Sequence, residues 1–235
     1  GMPINFTLGF SARQNYLAAR LSNPNYVNVF LGRLNQVVVE NSIGGGELVG
    51  EKVTLATQEA LHNVREQYSE VSTKLIGASI RSGDQVAFLA GLDVLTIPPA
   101  VIEQFTKMEH VASMGSHIEK DIQPGIDVNH LQAFRFSKLW KIPDSFIQFV
   151  DDLLTKTKLD CMSGKELELF CKERSIDLFY PFSNSELKEI FDQGKIPSLK
   201  DWSQDVALDD LMTQSALQSF SKDQGALDDR IRSFL

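Results

Sequence analysis

Residues 4–10 (INFTLGF) alternate in polarity, with Asn5, Thr7 and Gly9 on one side and Phe6, Leu8 and Phe10 on the other. A period of two with one polar face predicts a β-strand. Ser11 is placed to cap a helix through Tyr16, Leu17, Arg20 and Leu21, which the turn-forming Ser22-Asn23-Pro24-Asn25 ends. A second strand is predicted at 26–32 (YVNVFLG). Its helix is expected to begin only after the loop holding Gly44-Gly45-Gly46, with Leu61, Val64 and Tyr68 as its buried stripe. A third strand is predicted at 74–80 (KLIGASI), after which Ser82 caps a helix with Val86, Leu89 and Ala90 apolar. The fourth, at 94–97, is stopped by Pro98-Pro99, and a helix follows from about Ala100.

Strand–helix units at this spacing predict parallel strands joined by right-handed crossovers. Four such units are half the complement of a (β/α)8 barrel. The expected fold is therefore α/β: a partial TIM-type barrel of four parallel strand–helix units over 3–124, followed by a mainly α-helical region over 125–235. In that second region Ser163-Gly-Lys-Glu166 and Ser183-Asn-Ser-Glu186 both have the form of a capping box. Further helical stretches are expected at 144–158, 205–220 and 226–235. Residues 176–182 (IDLFYPF) suit either a short strand or a buried linker between helices.

Composition narrows the partners. The 235 residues are 43% hydrophobic and 23% charged, an ordinary globular balance, and the formal charge is −8. Nucleic acid and anionic membranes are poor partners for such a surface. The charge is uneven: residues 1–120 hold 9 basic against 11 acidic groups, and residues 121–235 hold 14 against 20. An anionic ligand meets less repulsion on the first part. Gly1 ahead of Met2 reads as a residue left by tag removal, and the strand-like run from Ile4 leaves no room for a secretory signal. No apolar stretch approaches the roughly 18–20 residues that span a bilayer. Cys161 and Cys171 are the only cysteines, which suits a reducing cytoplasm better than a disulfide framework. His62, His110, His117 and His130 are scattered, so no metal site is expected.

The candidate chemistry lies at the strand ends. Arg33 follows the second strand and Arg81 the third, each at the carboxyl end, which in barrels is the active-site face. Two guanidiniums on neighbouring strands can bind one phosphate through charge-assisted, bidentate bonds. Ser79 shares the parity of Arg81, and the amides opening the Ser82 helix add partial positive charge. The pattern predicts a sugar-phosphate clamp, although two strand-end arginines alone are more often ion-pair residues.

The order of short runs adds to this. Asn5-Phe-Thr7-Leu-Gly-Phe-Ser11, Phe30-Leu-Gly-Arg33-Leu, Gly77-Ala-Ser79-Ile-Arg81 and Gly91-Leu-Asp-Val-Leu-Thr96-Ile97-Pro stand in a series that resembles the last four strands of transaldolases. The run Phe220-Ser-Lys-Asp223-Gln224-Gly-Ala-Leu227 is similar to that family's closing segment. The resemblance covers about residues 3–115 and 205–235. It implies that Arg33, Ser79 and Arg81 bind phosphate, that Asn5 contacts substrate near an imine, and that Thr7 helps hold the catalytic water. It also implies that Phe30 lines the site beside that water. Asn28 falls where many members have serine, which leaves its role open to hydrogen bonding a sugar hydroxyl. Read from the residues alone, Asn5, Thr7 and Asn28 are polar filling of a barrel interior.

The family transfers a dihydroxyacetone unit through a lysine Schiff base, without metal or organic cofactor. By the resemblance, this chain starts at the equivalent of the fifth strand. The Schiff-base lysine and the proton-moving aspartate and glutamate then fall outside it, so the chain alone is expected to be inactive. Lys74 is the one lysine in a predicted strand, but at the amino end. Lys52 and Lys107 are expected to be solvated. A four-strand sheet of this kind has open edges and an uncovered face. A second copy, a partner chain carrying the other strands, or residues 125–235 folding over the face would each answer that. The non-enzymatic alternative is a phosphosugar-binding or assembly module that keeps the clamp and not the chemistry.

Overall fold

The computed structural model describes residues 2–109, 114–156 and 159–234. Four strands, β1 (Asn5–Phe6), β2 (Tyr26–Phe30), β3 (Lys74–Ala78) and β4 (Val94–Leu95), form one parallel sheet in the order β1-β2-β3-β4. Asn5 pairs with Tyr26, Asn28 with Ile76, and Ile76 with Val94. This register sorts the side chains. Val27, Val29 and Leu75 are fully buried under the crossover helices. Asn5, Tyr26, Asn28, Phe30, Ile76 and Ala78 share the opposite face, which a closed barrel would turn inward. The strands are shorter than the alternation suggests at β1 and β4. Each has one neighbour among the described residues, and a ladder ends where its partner ends.

Helix α1 (Ala12–Ser22) starts as expected, with Ser11 Oγ accepting from Gln14 N at 3.2 Å, and ends at Asn23 with φ 42°. The second unit departs from expectation. A ten-residue helix, α2 (Leu31–Glu40), follows β2 without any loop, and the helix after the glycine-rich turn is a second one, α3 (Val49–Gln67). The physical reason is a stripe passed over in the sequence: Leu31, Leu34, Val37 and Val38 recur at helical spacing and are fully buried. Helix α4 (Gly83–Phe88) is capped by Ser82, and α5 (Pro99–Thr106) opens with the favoured proline at its first turn.

Beyond β4 the described chain is helical: α6 (Val128–Ala133), α7 (Asp144–Lys156), α8 (Gly164–Glu173), α9 (Asn184–Gln193) and α10 (Leu208–Arg232). Both capping boxes form, at Ser163 with Glu166 and at Ser183 with Glu186. Residues 176–182 are the linker rather than a strand, with Leu178 1% exposed. The two stretches expected at 205–220 and 226–235 are one continuous helix. Gly225 sits inside α10 on an exposed face, where glycine costs about 1 kcal/mol against alanine and does not break a helix. Helix α10 is anchored to α1 by a buried cluster. Arg13 grips Asp209 through Nε and Nη2, both at 2.7 Å, and Ser11 Oγ donates to the same carboxylate at 2.7 Å.

Candidate functional site at the carboxyl ends of the strands

Because α2 begins at Leu31, Arg33 stands on a first helical turn rather than on a loop. That turn has no side-chain cap, so its leading N–H groups and helix dipole leave partial positive charge there. The Arg33 guanidinium lies 5.6 Å from the Phe30 ring centre and 5.5 Å from that of Phe220 on α10. Phe30 in turn meets Phe220 edge-on at 6.3 Å and Phe10 at 5.9 Å. Aromatic walls hold the guanidinium in place without neutralising it. Its Nη1 is buried and has no acceptor among the described residues. Burial and the like charge of Arg81 push the Arg33 pKa below its ordinary value, against the pull of Asp223. An anion at this point would satisfy the unspent donor and relieve the repulsion.

Ser79 and Arg81 arrive at the same place from β3. Ser79 takes φ 66°, a left-handed conformation uncommon outside glycine, just after the strand ends at Ala78. A methyl group on Gly32 would sit 2.3 Å from the Ser79 carbonyl oxygen, 2.7 Å from Arg81 Nε and 2.8 Å from Ser79 Oγ. Only glycine lets α2 approach that loop so closely. Arg81 is fixed from two sides: its Nη2 donates to Gln36 Oε1 at 2.7 Å and its backbone N–H to Gln85 Oε1 at 2.7 Å.

Asn5 and Asn28 form a second group on the open sheet face, with Thr7 just past the end of β1 and Phe30 continuing toward Arg33. Asn28 Nδ2 donates to Asn5 Oδ1 at 2.5 Å and to the Phe6 carbonyl at 3.3 Å. Thr7 Oγ1 donates to the Asn5 carbonyl at 3.3 Å. The structure thus gathers the seven sequence-derived positions into a polar group on the sheet and a cationic group at its carboxyl edge. Gln36, Gln85 and Gly32 also build the site, beyond the seven positions. The signal for Gly32 was its place between Leu31 and Arg33 at a strand end; the two glutamines gave none.

The lysines take different surroundings. Lys74 is exposed at the first residue of β3, the end opposite Arg81, and Lys107 is exposed past α5. Lys52 is not solvated as expected. Its Nζ donates to Asp121 Oδ1 and the Ile122 carbonyl, each at 2.7 Å, beside the Trp140 ring at 5.5 Å. It tethers the segment after α5 to α3. Among the described residues no group of three or more His, Cys, Asp or Glu side chains could hold a metal ion. His62 sits 3.2 Å from Glu66, His130 3.5 Å from Asp127, and His117 stacks on Phe88 at 4.4 Å; His110 lies outside the described residues. No helix among the described residues is long and apolar enough to cross a membrane.

Comparison with known proteins bears on the same stretch. The family model for transaldolase/fructose-6-phosphate aldolase matches residues 1–141. A probable transaldolase of Parvibaculum lavamentivorans is 36% identical over 105 residues, covering 44% of this chain and 42% of that protein. A probable transaldolase of Thermus thermophilus is 39% identical over 109 residues, covering 46% and 42% respectively. One from Brachyspira hyodysenteriae is likewise 39% identical over 109 residues, covering 46% and 43%. The chain thus spans less than half the length of the curated relatives it matches. With the matched stretch carrying all four strands and both strand-end arginines, the chain belongs to the transaldolase/fructose-6-phosphate aldolase family.

Proposed function

We propose that these residues form the phosphate-holding part of a transaldolase-type sugar-phosphate site. Arg33, Ser79 and Arg81 bind the phosphate. Asn5 and Thr7 face the reacting carbon and its water, and Asn28 and Phe30 line the sugar. The observation that carries this reading is the unspent Arg33 Nη1 beside the place where Ser79 and Arg81 converge on Gly32. A phosphate there accepts from two guanidiniums and a hydroxyl, each bond strengthened by charge. Arg81→Ala is expected to weaken binding of fructose 6-phosphate about tenfold or more, since one charge-assisted contact is worth roughly 1.5–3 kcal/mol. Titration calorimetry reads this, and unchanged affinity would refute the clamp.

The reaction in this reading is transfer of a dihydroxyacetone unit through a lysine imine, with no metal or organic cofactor, in a reducing cytoplasm. The imine lysine needs a lowered pKa to attack as the free amine. Lys74 lies at the wrong end of the sheet, and Lys52 is tied to Asp121. We therefore infer that residues 1–235 alone bind sugar phosphate without forming the imine, the division into half-barrel (3–124) and helical region (125–235) being part of that reading. Strands from a second copy or from another chain would then pair with the open edges at β1 and β4. Borohydride trapping with fructose 6-phosphate, read by intact mass, should leave the chain unmodified while a complete transaldolase is labelled beside it. A stable adduct on one lysine would overturn the inference. Binding without an adduct also fits the second reading, a phosphosugar-binding module, which the position of Lys74 favours.

A further inference from the structure

Glu51, behind the clamp, is 3% exposed. Its oxygens accept from two neutral amides, Gln85 Nε2 at 2.7 Å and Asn35 Nδ2 at 3.0 Å, and among the described residues no ion pair reaches it. It stands in the first turn of α3, where the helix dipole favours a carboxylate. That position accounts for a charge at the helix end. It does not account for the shorter bond, which crosses to Gln85 on a different strand–helix unit.

The two amides continue outward. Gln85 Oε1 accepts from Arg81 N–H at 2.7 Å, and Asn35 Oδ1 accepts from Gly50 N–H at 2.7 Å. An amide has one accepting and one donating end, whereas a carboxylate only accepts. Glu51 therefore turns the NH2 ends of both amides toward itself, and so turns their oxygens toward Arg81 and Gly50. Resting on the clamp reading above, we propose that Glu51 is a positioning residue for phosphate binding, acting through the amide orientation of Gln85 on Arg81. The polarity of the chain is what matters. With an amide in place of the Glu51 carboxylate, its single oxygen cannot accept from both Gln85 and Asn35, so one NH2 faces another at one of the two; flipping Gln85 to relieve a conflict there would set its NH2 against Arg81 N–H.

The same logic supplies a rescue. In the double variant E51Q/Q85E the carboxylate moves one link outward. The amide at position 51 then accepts from Asn35 through its oxygen and donates through its NH2 to the carboxylate at position 85. The second oxygen of that carboxylate accepts from Arg81 N–H. Every donor again meets an acceptor at unchanged net charge. The test is calorimetric titration of the full 235-residue chain with inorganic phosphate, with melting temperature recorded in parallel. E51Q is expected to weaken phosphate binding roughly tenfold, the equivalent of one misaligned charge-assisted bond, and E51Q/Q85E to recover most of it. E51Q with affinity within about twofold of the parent, or a double variant no better than E51Q, would overturn the proposal, whatever the melting temperature does. Should E51Q not fold, Gln85→Met removes the same link to Arg81, and unchanged affinity there has the same consequence. A parent chain that binds no phosphate removes the clamp reading and this proposal together. A parent that binds, loses affinity in Arg81→Ala and keeps it in E51Q removes only the role of Glu51.

Discussion

Arg13→Ala is expected to lower folding stability by roughly 3–5 kcal/mol, the usual loss when one partner of a buried ion pair is removed. Arg13 is 4% exposed and Asp209 1%. Arg13 Nε and Nη2 bind the two Asp209 oxygens, and Nη1 reaches Asp177 Oδ1 at 2.7 Å. Asp177 keeps Arg135 at 2.8 Å and Lys138 at 2.6 Å when Arg13 is gone. Among the described residues Asp209 keeps only Ser11 Oγ and the Asp210 N–H, so it becomes a buried anion with no cation there to meet it. The energy lies in that stranded charge rather than in the pair. Replacing both partners, as in Arg13→Met with Asp209→Leu, should therefore cost far less than Arg13→Ala alone. For a chain of this size the single loss corresponds to a melting temperature lower by about 6–20 °C. Urea unfolding of the parent, Arg13→Ala and the double variant measures it. A single-variant loss under about 1 kcal/mol would show that the cluster does not hold α10 to α1.

Stability should also fall as pH rises from about 4 to 7, and Asp210 should be the main cause. Burial pushes its carboxyl up to about 7, aided by the neighbouring Asp209 charge and opposed by the Tyr180 N–H, which donates at 2.6 Å. The unfolded chain releases this proton near the ordinary aspartate pKa, the folded chain only near 7. Protonated Asp210 thus favours folding fully at low pH, and that contribution is lost as pH rises through the folded value. Asp177 has the opposite sign. Burial alone would raise it, but Arg13 and Lys138 outweigh this and hold it at about 2. Its contribution is present above about pH 4 and lost as pH falls toward 2. The two together place the greatest stability from this cluster near pH 4. Asp210→Asn keeps an oxygen for the Tyr180 N–H and carries no charge. It should raise stability at pH 8 by on the order of 4 kcal/mol and change little at pH 4. Parallel pH profiles for the parent and Asp210→Asn would sink the assignment.

These clusters show why the site was only partly legible beforehand. The arginines, Ser79 and the polar run Asn5-Phe-Thr7 could be found in the sequence because each sits at a strand end or on a strand face. Such positions follow from alternation and from capping signals a few residues away. Helix α2 was missed for a local reason as well. The run from Leu31 to Val38 satisfies a helix and continues a strand without a turn residue between them, and the glycines after it were the louder break. The split expected in α10 falls at 221–225, where Gly225, within an exposed helix, costs too little to end it.

Period, caps and turn residues act over one or two helical turns, and within that reach the chain alone determines its elements, their order and its parallel sheet. The contacts of Arg13 with Asp209, 196 residues apart, and of Gln85 with Glu51, 34 apart, have no such signature. Whether a buried charge meets a cation, an amide or nothing depends on where the packed helices put it. The same packing gives Arg33 its aromatic walls, brings Ser79 and Arg81 against Gly32, and sets the proton affinity of Asp210. Desolvation and hydrogen-bond geometry are properties of assembled surroundings, so these features came into being only when α10 and α3 docked against the sheet.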